Sequence, residues 1–147
     1  MANVNFTIVS NEVSPRLAQL NSLSAKPEPI LRAMGTTFMS ITMGTFNDVG
    51  ASFRPVPWAK KKDGTPSKLQ KSGTMSRSFH LAVTDKAAIV SNPVIYAATH
   101  QFGRPQGNGV IPPRPFFPVL NGVLTPKASL LIVKAGERAL AKQLGTE

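Results

Sequence analysis

The 147-residue sequence predicts an α+β fold: a small antiparallel sheet with one long and several short helices packed on it. Three observations predict it. Short apolar runs of alternating character, bounded by turn residues, occur at Val4 to Val9 and between Phe79 and Ser91. An apolar stripe at steps of four and three runs from Ile30 to Val49, which marks one long helix. Prolines follow short polar side chains at Ser14-Pro15, Thr65-Pro66, Asn92-Pro93 and Thr125-Pro126, as an N-cap precedes a first helical residue whose N–H would be unpaired anyway. A chain of this length suits a single domain, residues 1–147.

Taken in order, Val4 to Val9 reads as a strand with Val4, Phe6 and Ile8 on one face. A short helix is expected at about 15–23, with Leu17, Leu20 and Leu23 facing inward. The long helix is expected at about 28–52, opened by Lys26-Pro27-Glu28-Pro29 and buried through Ile30, Met34, Phe38, Ile41, Thr45 and Val49. Gly35 and Gly44 each cost about 1 kcal/mol against Ala inside a helix, so a close approach or a kink is expected there. Pro55 and Pro57 end the helix, and Trp58 is placed at the rim of the core. A basic loop at about 54–66 turns at Asp63-Gly64, and an interrupted helical stretch follows from Pro66 to Phe79, broken near Gly73.

Strands at about 79–84 and 87–91 form a half-buried hairpin, with Leu81 and Val83 opposite His80, Ala82 and Thr84. A helix from Pro93 to Phe102 ends on Gly103 at a left-handed cap. Residues 103–119 then form a flexible glycine-rich loop and an extended proline-rich arm. A last helix spans about 126–143, with Leu130, Val133, Leu140 and Leu144 on one side and Arg138 and Lys142 near its negative end.

Composition narrows the chemistry. The chain has no cysteine, hence no disulfide and no thiolate metal site, which fits assembly in a reducing cytoplasm. Two histidines make a multi-histidine metal cage unexpected. No apolar run reaches the roughly 20 residues of a membrane span, and the first residues lack the basic and apolar segments of a secretory leader. The seven acids are scattered, no Gly-x-Ser-x-Gly elbow occurs, and the Gly103 to Gly109 run follows a helix rather than a strand. Neither an enzyme nor a cofactor is expected. His100 lies four residues after Tyr96 and shares its helix face; it is read as a structural histidine bonded to backbone or to the tyrosine hydroxyl.

The net charge of +10 and the pI near 10.6 favour polyanions or acidic protein surfaces. Arg54, Lys60, Lys61, Lys62, Lys68, Lys71 and Arg77 face Asp63 alone, and form the expected DNA-facing or acidic-partner-facing strip. A plain solvated loop is the competing reading. No aromatic residue interleaves with these lysines, so contact with nucleic acid would be electrostatic and sequence-blind. Phe116 and Phe117 follow Pro-Pro-Arg-Pro, and adjacent residues of an extended strand point to opposite faces. One ring is therefore expected in the chain's own core and the other against a neighbour. Tyr96, His100, Phe102, Arg114, Phe116 and Phe117 are the expected subunit interface.

The run Tyr96-Ala-Ala-Thr-His-Gln-Phe-Gly103 with Ile111-Pro-Pro-Arg-Pro-Phe-Phe117, preceded by Leu69-Gln-Lys-Ser-Gly-Thr-Met-Ser-Arg-Ser-Phe79, resembles the tailed-bacteriophage virion morphogenesis, or tail completion, proteins. The resemblance covers about residues 67–120 and departs at Met75 and Phe117, where leucine is usual. It implies a non-enzymatic structural protein of the neck or tail end, which completes or terminates the tail and joins it to the head. It further implies a homo-oligomeric ring around the DNA channel, with a hexamer as the expectation. Other phage neck and tail proteins and non-specifically contacted packaged DNA would be its partners, with no membrane involved. The alternative is a basic accessory protein that binds DNA without regard to sequence.

Overall fold

The computed structural model describes residues 4–8, 26–47, 50–65, 67, 69, 73–104 and 110–145. The fold is α+β. Strands β1 (Val4–Ile8), β2 (His80–Val83) and β3 (Ala88–Asn92) form an antiparallel sheet in the order β1-β3-β2. Register pairs Val4 with Asn92 and Ile8 with Ala88 on one side of β3, and His80 with Ser91 and Val83 with Ala88 on the other. On the central strand Ala88, Val90 and Asn92 are buried while Ile89 and Ser91 are half-buried.

Helix α1 (Pro27–Gly44) lies across this sheet, with Pro27 in its first turn as the sequence predicts. Its stripe of Ile30, Met34, Phe38 and Ile41 is buried, together with Leu31 and Thr42. A Cβ on Gly35 would lie 2.7 Å from Leu81 Cδ1 and 2.9 Å from Ala88 Cβ. The glycine therefore sets the helix-to-sheet distance, and its helix-propensity cost is offset by close packing.

The helix ends at Gly44, well before the predicted 52. The chain turns through Thr45 and reaches a 3₁₀ turn at Ala51–Phe53. Gly50 comes back onto the helix end, where a Cβ would collide with the Gly44 carbonyl oxygen. The apolar periodicity carries on past a point where the backbone folds over, so the stripe misled as to length.

Helix α2 is Ala97–Phe102, beginning later than Pro93. Asn92 does not cap it. It ends β3 as a fully buried residue, its Nδ2 donating to Met75 O at 2.7 Å and its Oδ1 accepting from Val94 N at 3.1 Å. The described part of the stretch before β2 is a turn through Thr74 to Arg77 rather than a helix, with Arg77 N donating to Gly73 O. A second hairpin, β4 (Val119–Leu120) and β5 (Val123–Leu124), was not anticipated. Asn121 and Gly122 both take positive φ, 54° and 78°, as a two-residue primed turn requires.

Helix α3 (Pro126–Leu144) packs against α1 with its end beside the start of α1, where Gln143 Nε2 donates to Lys26 O, and it ends on Gly145 in the left-handed conformation. Thr125 occupies the N-cap position without a side-chain capping bond. The buried stripe is Ala128, Ile132, Gly136 and Leu140, at steps of four. Leu130, expected inward, is 55% exposed. The predicted helix at 15–23, Val49, Lys68, Lys71 and the glycine loop at 105–109 lie outside the described residues. No helix among the described residues is long and apolar enough to cross a membrane.

Candidate functional site: the stitched segment and the surfaces around it

The segment from Arg114 to Phe117 carries the sequence signature, and it runs through the protein interior without belonging to a sheet. A buried irregular backbone must find partners for each polar group or lose the desolvation cost of each. Here side chains supply most of them. Gln101 Oε1 accepts from Phe116 N at 3.0 Å and from Phe117 N at 3.1 Å. Thr45 Oγ1 donates to Phe116 O at 3.1 Å, and Trp58 Nε1 donates to Pro115 O at 2.8 Å. Arg114 N donates to His100 O, and Val119 N to Phe117 O, each at 2.7 Å.

Both phenylalanine rings point inward. Phe116 is 0% and Phe117 2% exposed, so the strand-alternation argument fails at this pair. The chain is not a regular strand here, and a bend begins at Phe117. The two rings sit 5.1 Å apart in one aromatic cluster with Phe38, Phe46 and Phe79. Neither ring reaches the surface of the folded chain.

Arg114 is also turned inward. Its guanidinium donates to Ala59 O at 2.7 Å and Lys60 O at 3.1 Å. It thereby ties the start of the basic turn to the end of α2. Gly103, at φ 77° and ψ 175°, allows the chain to leave α2 against Ile111 O and Pro113, each within 3 Å of where a Cβ would stand. Arg104 and Ile111 then close the base of the loop through a pair of backbone hydrogen bonds.

His100 is half-buried, with its ring edge-on to Tyr96 at 5.9 Å. Its Nδ1 is buried with no hydrogen-bond partner among the described residues, in place of the backbone or tyrosine bond expected. Burial, and secondarily the Arg114 charge, holds its pKa below the usual histidine range. No group of three or more His, Asp or Glu that could hold a metal occurs among the described residues.

The basic strip divides in two. Arg54 donates from Nε to Thr45 O at 2.8 Å and places its guanidinium 3.7 Å from the centre of the Trp58 ring, so it is a fixture of the core rim. Arg77 is exposed and folds back on its own turn, over the space a Gly73 side chain would need. Lys60, Lys61 and Lys62 are exposed together on the turn closed by Lys61 N to Thr65 O. Asp63 accepts from the Thr65 hydroxyl and amide there, which lowers its pKa. Of the expected interface residues, Tyr96 and Phe102 are exposed. Ile95 at 67% and Val110 at 65%, which sequence reasoning did not single out, are comparably exposed beside Phe102 at 69%.

In this α+β fold Arg114, Phe116 and Phe117 of the signature serve packing, whereas Tyr96 and Phe102 of the same signature stand exposed. The comparisons give the class of protein. Residues 8–145 match the phage virion morphogenesis family, and the chain belongs to that family. It is also similar to the Mu-like prophage FluMu G protein 2 of Haemophilus influenzae, 33% identical over 123 residues that cover 80% of this chain and 81% of the relative. No solved structure gives a significant match.

Proposed function

We propose that this virion morphogenesis protein acts at the neck or tail end, completing the tail and joining it to the head as a ring of identical copies around the DNA channel. The observation that carries this reading is the exposure of four large apolar side chains, Ile95, Tyr96, Phe102 and Val110, close in sequence to the backbone bonds at Gly103, Arg104 and Ile111. Large exposed apolar side chains suit contact with the next subunit, each copy meeting its neighbour head-to-tail until the rotation closes. Phe116, Phe117 and Arg114 contribute by fixing that surface rather than by forming it. The chemistry is assembly, without a reaction or cofactor.

A second reading, a basic accessory protein that binds DNA regardless of sequence, draws on Lys60, Lys61 and Lys62 exposed on one turn. Native mass spectrometry of the purified protein, with micrographs of particles made without it, separates the two. Closed oligomers that lose their stability on Phe102→Ser, and heads and tails that fail to join, are the expected results. A protein that stays monomeric, together with normal virions in its absence, would refute the proposal. Steeply salt-dependent binding to duplex DNA by that monomer would support the second reading.

A further inference from the structure

Helix α3 buries one stripe against the core, and among the described residues its opposite face is exposed. Along that face Lys134, Arg138 and Lys142 follow one another at steps of four, all exposed. Leu130 and Leu131 stand at the head of the row, 55% and 37% exposed. From Leu130 to Lys142 the ridge is about 18 Å long, with a cation roughly every 6 Å. Beside it a groove of about 700 Å³ runs along the seam where α3 packs on α1. Ala33 and Ala139 help to line it, and Arg32, paired with Glu28, stands on its α1 side.

We infer that this ridge and groove dock an acidic amphipathic helix of a different virion protein. Charge selects an acidic partner: the only acid on α3 is Glu137, which is half-buried, and Glu28 across the groove is already paired with Arg32 at 3.1 Å. A second copy of this chain does not fit. Its seven acids are dispersed, and none of the described helices carries an acidic face. Duplex DNA fits less well than a helix, because phosphates give no partner to two adjacent exposed leucines or to an alanine-lined groove. An acidic helix offers both, carboxylates at the same four-residue step and apolar side chains between them. This inference does not depend on ring formation, since it concerns a different protein on a different surface.

The test uses the full chain and three fluorescent probes at low salt: a synthetic helix with Glu at four-residue steps flanked by Leu, a scramble of the same composition, and a short duplex DNA. The helix should bind about tenfold more tightly than the scramble. Lys134→Glu/Arg138→Glu/Lys142→Glu, and separately Leu130→Ser/Leu131→Ser, should each weaken it by about tenfold, with the triple Gln variant intermediate. Lys60→Ala/Lys61→Ala/Lys62→Ala should leave it unchanged. Circular dichroism checks that each variant folds. The inference is overturned by a helix that fails to bind, by equal binding of helix and scramble, or by tighter binding of DNA with the leucine variant unaffected. A change of oligomeric state in the charge-reversed variant would overturn it as well, because the ridge would then be a contact between copies.

Discussion

The segment from Arg114 to Phe117, with Gln101 beside it, and the outer face of α3 are both short, and they carry opposite kinds of information. The first belongs to the recognisable run of residues and lies in the interior: two buried rings, with a glutamine and an arginine whose side chains satisfy irregular backbone. The second reads as an ordinary amphipathic helix, yet it presents leucines and cations to the outside. In this chain the buried part of the signature marks where the fold is hard to build, whereas the surface proposed for a different partner is written in residues that any solvated helix could carry.

The contrast can be broken by mutation. Phe116→Ala should cost about 3–5 kcal/mol in urea denaturation, since it opens a cavity among packed rings. Gln101→Leu should cost about 1–3 kcal/mol for each of the two buried N–H groups it leaves unpaired. Gly103→Ala should cost about 1–3 kcal/mol, because φ of 77° with ψ of 175° suits glycine alone and Pro113 stands in the way. On α3, Leu130→Ser and Lys134→Glu should each change stability by no more than about 0.5 kcal/mol. A loss there comparable to that of Phe116→Ala would erase the distinction between the two regions.

The smallest expected effect is a pH dependence. His100 has a depressed pKa in the fold, so the unfolded chain takes up the proton first as pH falls. Its contribution is complete above the unfolded pKa of 6.5 and is lost as pH falls from there toward the lower folded value. Thermal melts should accordingly show a fall in stability below pH 6.5 that is weaker in His100→Gln. An equal fall in both would place the acid sensitivity elsewhere.

Much of the scaffold was legible because it is local. The stripe from Ile30 to Ile41, the hairpin through Thr84 and Asp85, and Pro126 at the head of α3 follow from spacing and proline placement alone. The Val119 to Leu124 hairpin was legible in principle, since Asn121-Gly122 between apolar pairs is a strong turn signal. Other features depend on distant partners. Gly50 rests on the Gly44 end of α1, and Leu130 faces outward while Ala128 and Ile132 fill the core. The inward turn of both phenylalanines depends on Gln101, Thr45 and Trp58, three residues on three separate parts of the chain. No periodicity reports such a meeting.

A reconstruction of the intact virion that resolves this protein tests the central claim most directly. It should show Phe116 and Phe117 inside their own subunit, with Ile95, Phe102 and Val110 against an identical neighbour and the Leu130 to Lys142 ridge against a different protein. An Arg114 to Phe117 segment crossing onto the adjacent subunit, with α3 facing solvent, would contradict it.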